Sequence, residues 1–257
     1  MDTSCDLDFT AKRIAWAKWM NCGQTCIGVD YVLVPESMKD ALFKKVIQNL
    51  RSFYLSSERQ LAAQLINGDD FRDSPNWCRI INTWHSKRIW DYLDDQKANI
   101  VYQGGEPDFE NRFLPPVVVM NPALDSKIMQ EEIFGPILPM LTYKTEEDVM
   151  RIITGDFREN PLTVYYFGDK DSKFCERIRQ NTNSGSFVTN DLVMQYVTSS
   201  LPFGGVGDSG YGRIHGKAGF DWMCNMKSHL IKGKKPNIDD PDVYMEVDCD
   251  EDQKLGR

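Results

Sequence analysis

Leu114-Pro115-Pro116-Val117-Val118-Val119-Met120 is followed by Ile137-Leu138-Pro139-Met140-Leu141-Thr142-Tyr143 and then by Thr145-Glu146-Glu147-Asp148. A β-branched run opened by prolines reads as a buried strand, because both faces of the run are apolar. The second stretch reads the same way. Threonine followed by three acids is a helix opening, with the hydroxyl as cap and the acids at the positive end of the macrodipole, before Val149, Ile152 and Ile153. Strand, strand, helix in close succession is the grammar of an α/β protein.

Working outward, the same alternation holds. Asp6 to Met20 places Leu7, Phe9, Ile14, Ala15 and Trp19 at helical spacing and ends at Asn21-Cys22-Gly23. Tyr31 to Val34 is a strand stopped by Pro35, and a helical period returns from Glu36 through Phe53. Ser56 to Trp77 is mixed and polar, and an irregular insertion is expected there. Ile80 to Asp94 is helical, Asn99 to Tyr102 a strand, Leu162 to Phe167 a strand, Ser172 to Ile178 a helix and Ser186 to Val188 a strand. The expected fold is α/β, a mostly parallel sheet flanked by helices.

The chain has 257 residues, with 41% hydrophobic and 26% charged side chains, which excludes collagen-like and wholly disordered classes. Its net charge is −8. Residues 236–257 hold eight acids and two bases, so nearly all of that charge lies in a tail expected to be disordered, and the body is close to neutral. A nucleic-acid partner held by a basic patch is therefore not expected. Seven scattered cysteines, an odd number, argue against a disulfide scaffold and for a reducing, cytoplasmic setting. No signal peptide and no membrane-spanning segment is read.

Three constellations can carry chemistry. In Asn21-Cys22-Gly23-Gln24-Thr25-Cys26, a cysteine follows a glycine-bearing turn between a helix and a buried strand. Such a thiol can be held rigidly and approached closely, as a nucleophile requires, although an inert buried cysteine is the alternative. A redox pair with Cys22 ranks last, because C-x-x-C spacing is lacking. Gln130-Glu131-Glu132-Ile133-Phe134-Gly135-Pro136 sets acids and a ring in one loop, suited to grip ribose hydroxyls and back a planar ring, or to be a solvated turn. Gly205-Val206-Gly207-Asp208-Ser209-Gly210 matches G-x-G-x-x-G, but no full strand precedes it and too little chain follows. It is read as a close-packed structural loop. With three histidines (His85, His215, His229), no histidine-rich metal site is expected.

Taken in order, Arg13-Ile14-Ala15-Trp16, Asn21 to Cys26, Met129 to Pro136 and Ser200 to Gly207 resemble the C-terminal catalytic portion of the aldehyde dehydrogenase superfamily, most nearly its class 3 branch for fatty or aromatic aldehydes. The resemblance runs from about Asp6 to about Gly233. It implies a catalytic domain over residues 1–210, a C-terminal segment with an oligomerisation strand over 211–235 and the tail over 236–257. It also implies an NAD or NADP cofactor bound mainly by a separate domain outside this chain, and a homodimer.

By the same resemblance, Cys26 is the nucleophile, with its own backbone N–H as one oxyanion donor. Glu132 is the carboxylate on the nicotinamide ribose and Phe134 the ring beside it. Asn190 and Phe203 lie around the substrate funnel with the loop Asp191 to Thr198 between them, and His215 lies close to the active centre. The substrate implied is an apolar or aromatic aldehyde, oxidised to the acid through a cysteine thioester. The family's Glu-Leu-Gly-Gly-Lys segment, with the base for deacylation, and its second oxyanion donor are not in this chain. A catalytically impaired remnant serving as a binding or assembly module is the competing expectation.

Overall fold

Val117, Val118 and Val119 are completely buried because the strand they form has a partner on each side. The computed structural model describes residues 1–66, 68–155 and 160–231. The first compact unit, Met1–Met223, is built from α1 (Leu7–Trp19), β1 (Val32–Pro35), α2 (Lys39–Tyr54), α3 (Ser57–Ile66), α4 (Thr83–Asp91), β2 (Ile100–Gln103), β3 (Val117–Met120), α5 (Lys127–Gln130), β4 (Ile137–Tyr143), α6 (Glu146–Ile153), β5 (Thr163–Tyr166), α7 (Lys173–Asn181), β6 (Ser186–Thr189), α8 (Met194–Val197) and α9 (Gly216–Met223). In the second unit, from Cys224, residues 224–231 are exposed and form no helix or strand. The acidic tail expected over 236–257 lies outside the described residues.

One sheet has the order β1-β4-β3-β2 and a second pairs β5 with β6. Every pair is parallel except β2–β3, so the mostly parallel α/β reading holds. Four of the helices open on side-chain caps. Asp6 accepts from the Phe9 N–H at 3.0 Å to open α1, and Thr145 and Asp148 form a reciprocal capping box on α6. Ser172 caps α7 through the Cys175 N–H.

The irregular insertion expected over Ser56 to Trp77 is corrected in its first half. Residues Ser57–Ile66 are α-helical, since the Ser56 hydroxyl accepts from the Arg59 N–H at 3.3 Å and strong helix formers follow. Residues 68–77 form no helix or strand, and Asp69, Phe71, Ser74 and Trp77 among them are buried. Phe71 and Trp77 enter the core, and the Asp69 carboxylate takes Arg51 Nε at 2.7 Å and the Tyr102 hydroxyl at 2.6 Å. The segment is thereby stitched to α2 and β2.

The edge strands β1 and β5 line one cavity of about 770 Å³, whose walls include Ile14 from α1, Val149 and Ile153 from α6 and Ile178 from α7. At one end Met1 and Asp2 bridge the two edges, the Met1 nitrogen donating to Leu33 O and the Asp2 N–H to Phe167 O. Cys26 and Glu132 line the same cavity.

Candidate active site

The loop after α1 is shaped by backbone geometry that few sequences tolerate. Asn21, Cys22 and Gly23 are three consecutive left-handed residues, with φ of 51°, 56° and 76°. A Cβ on Gly23 would stand 2.2 Å from Gly135 O, so the position admits no side chain. The Asn21–Cys26 loop and the Glu131–Pro136 loop therefore touch backbone to backbone. Trp19, at the end of α1, ties them again by donating from Nε1 to Pro136 O at 3.0 Å in a buried contact.

Gln24 anchors the next step. Its Nε2 donates to Asn21 O and to Arg79 O, each at 3.1 Å, and its Oε1 accepts from the Ile81 N–H at 3.0 Å. A turn then closes from the Gly28 N–H to Thr25 O at 2.8 Å, with Cys26 and Ile27 at its centre. Cys26 is exposed and Ile27 is buried. Cys22 is buried, and burial pushes its thiol far above the ordinary range, so it stays protonated. Both are free thiols in different surroundings, an arrangement that gives no support to a redox pair.

The second loop is held from α4. Arg88 donates to Ile133 O at 3.1 Å and to the Tyr92 hydroxyl at 2.5 Å, and Tyr92 in turn donates to the Glu131 carboxylate at 2.8 Å. From the other side the Ile133 N–H donates to Asp30 at 3.2 Å. So braced, the loop presents Glu132 and Phe134 outward while Ile133 is fully buried. Phe134 holds φ 51°, a left-handed conformation costly for a bulky side chain and of the kind that gathers at functional sites.

The expected substrate-side residues separate into two groups. Phe203 and His215 come together with Tyr196: ring centroids lie 5.1 Å apart for Tyr196–Phe203, 5.4 Å for Tyr196–His215 and 6.1 Å for Phe203–His215. An antiparallel bridge between Phe203 and Ile214 fixes the pair, and His215 Nδ1 is buried without a partner. Asn190 stands apart from this cluster. Its carboxamide accepts from the Gly168 N–H and donates to Gly168 O, each at 2.9 Å, so the amide closes the end of the β5–β6 pair. None of Phe134, Asn190, Phe203 and His215 lines the cavity shared by Cys26 and Glu132.

The glycine-rich stretch is the structural loop it was expected to be. A Cβ on Gly205 would lie 2.0 Å from Ser209 O, and Arg213 donates to Gly205 O at 2.5 Å. The loop is folded back on its own backbone. Among the described residues of the two loops, the groups left to meet a dinucleotide are the exposed Glu132 carboxylate and the exposed Phe134 ring. Among the described residues no cluster of three or more His, Cys, Asp or Glu is placed to hold a metal, and no helix is long and apolar enough to cross a membrane.

Sequence reasoning missed Asp30, Arg88, Tyr92, Tyr165 and Tyr196. The one signal available was the four-residue spacing of Arg88 and Tyr92 on one helix face. Their meeting with Glu131 is long-range and leaves no local trace.

The family model for the aldehyde dehydrogenase family matches residues 1–229. The chain belongs to the aldehyde dehydrogenase family. It is 40% identical over 235 residues to mouse aldehyde dehydrogenase family 3 member A2, covering 91% of this chain and 45% of that protein. It is 36% identical over 232 residues to the rat dimeric NADP-preferring aldehyde dehydrogenase, covering 90% of this chain and 47% of that one. Among solved structures, the substrate-bound state of Staphylococcus aureus AldH superposes with a TM-score of 0.78 at 34% identity, over 95% of this chain and 51% of that chain. This aldehyde dehydrogenase chain therefore spans about half the length of the curated relatives it matches.

Proposed function

We propose that the chain is the catalytic portion of an NAD(P)-dependent aldehyde dehydrogenase of the class 3 branch, with Cys26 as nucleophile. The observation that carries the reading is the placing of an exposed thiol at the centre of a rigid turn. The Gly23 backbone just before that turn packs closely against the Gly135 backbone of the loop that presents Glu132 and Phe134. In the reaction, the Cys26 sulfur adds to the aldehyde carbon and its backbone N–H meets the developing oxyanion, a contact of a type worth about 3 kcal/mol. Nicotinamide supplies the hydride acceptor when bound. Glu132 would hold its ribose and Phe134 would back its ring.

The Tyr196–Phe203–His215 cluster supports an apolar or aromatic aldehyde, since rings of this kind favour flat or greasy side chains over charged ones. Asn190 serves the funnel by fixing the strand end from which the substrate-side segment runs. A homodimer is supported by the exposed apolar side chains Tyr211, Ile214, Phe220, Trp222 and Met223. A cytoplasmic, reducing setting is supported by the six described cysteines, all of which are free.

The test is competitive labelling. With substoichiometric iodoacetamide at neutral pH, Cys26 should be alkylated at least roughly tenfold faster than Cys78, which is also exposed and stands for an unactivated thiol. An aromatic aldehyde should protect Cys26 selectively. Equal rates at the two cysteines would contradict the assignment.

A further inference from the structure

The Tyr165 hydroxyl, on β5, has three partners on two separate segments. It donates to Ile27 O at 2.8 Å, inside the turn that carries Cys26. It accepts from the Val193 N–H at 3.2 Å and from Gln195 Nε2 at 2.8 Å, both in the loop on the substrate side. A phenol has one hydrogen to give and two lone pairs to offer, so this group is used to capacity. Burial is the main cause pushing the hydroxyl above its ordinary range, which keeps the proton in place for Ile27 O.

The loop needs such a clamp. Val193 holds φ 69°, a left-handed conformation that a β-branched residue adopts only where its surroundings compel it. Gln195 is buried, yet its Oε1 has no partner. The donor side of this buried amide reaches Tyr165 and, at 3.3 Å, Thr163. At the start of the loop, Arg13 of α1 pairs with Asp191 and donates to Leu192 O at 3.3 Å. The segment is thus fastened at Asp191 to Val193 and again at Gln195 to α1 and β5.

We propose that Tyr165 is a positioning residue that locks the Cys26 turn and the Leu192–Val197 loop into one unit, so that nucleophile and substrate wall hold a common geometry. The proposal rests on reading Cys26 as the nucleophile, but the coupling itself is measurable without that reading.

The experiment is hydrogen exchange by mass spectrometry on the chain and on Tyr165→Phe, which keeps the ring and removes the three bonds. Exchange in peptides covering 25–30 and 191–197 should rise together, by roughly tenfold or more, the scale of losing one or more buried hydrogen bonds, while peptides from α2 stay unchanged. Gln195→Leu, which spares the bond to Ile27, should loosen 191–197 alone. In parallel, the Cys26-to-Cys78 alkylation ratio should change in Tyr165→Phe and hold in Gln195→Leu.

A rise in only one segment of Tyr165→Phe, or in neither, overturns the proposal. So does a uniform rise that includes α2, which marks a merely structural role. Joint loosening of the two segments, in a wild-type chain whose Cys26 labels no faster than Cys78, upholds the coupling while removing the nucleophile reading.

Discussion

Gly23 is the residue on which the site's geometry turns. Its φ of 76° and the 2.2 Å that would separate a Cβ from Gly135 O act against any substitution together. Gly23→Ala should destabilise the chain by about 2 kcal/mol or more, from left-handed strain and overpacking. It should also erase the preferential alkylation of Cys26, because the two loops must part. Urea unfolding and competitive labelling check the two halves of this outcome. A variant with wild-type stability and wild-type labelling would show that the backbone contact positions nothing. Cys26 itself was legible as a candidate from the Gly23-bearing turn before it and from the helix and strand on either side. The left-handed run was not, because Asn21 and Cys22 carry no local signal that demands φ above zero.

At the scale of elements, the loop with Glu132 and Phe134 depends on α4. Arg88 gives that loop a charged donor at Ile133 O and holds Tyr92 toward Glu131. Arg88→Ala should therefore cost about 1.5–3 kcal/mol, the range for hydrogen bonds to charged groups, read as a lower urea midpoint at unchanged slope. Protease cleavage between Gln130 and Pro136 should rise in the same variant. Elements with strong local signals were readable in advance: the valine run of β3 and the Thr145 opening of α6 sit where residue chemistry placed them, and the Ser172 to Ile178 helix falls on α7. The helix over Ser57–Ile66 was not, because its polar composition masked its propensity. The division of strands between two sheets was equally hidden, since pairing partners are set by packing across the chain and not by the strands' own residues.

Across the whole molecule, buried acids that hold their protons set the response to alkali. Burial pushes Tyr54 up to about 12, and it pushes Cys22, Tyr102, Tyr143 and Tyr166 further still. Unfolded, the thiol and the phenols ionise from about pH 8.5 and pH 10 respectively. Above those values the unfolded state binds fewer protons than the folded one, so stability is intact at neutral pH and falls as pH rises from about 8.5. The urea midpoint should drop between pH 8 and pH 10.5, and Tyr54→Phe should flatten the drop at its upper end. A midpoint independent of pH across that window would show that these groups are not protonated by burial.

The most direct measurement of the central claim, that Cys26 is a preformed nucleophile toward carbonyl carbon, uses p-nitrophenyl acetate, because acyl transfer from an activated ester needs no nucleotide. Sulfur bonds to the acyl carbon and p-nitrophenolate leaves. A burst of p-nitrophenolate stoichiometric with the chain is expected, with the acetyl mass on the peptide containing Cys26 and no burst from Cys26→Ser. A burst that survives in Cys26→Ser, or acetyl spread evenly over Cys26 and Cys78, would contradict it.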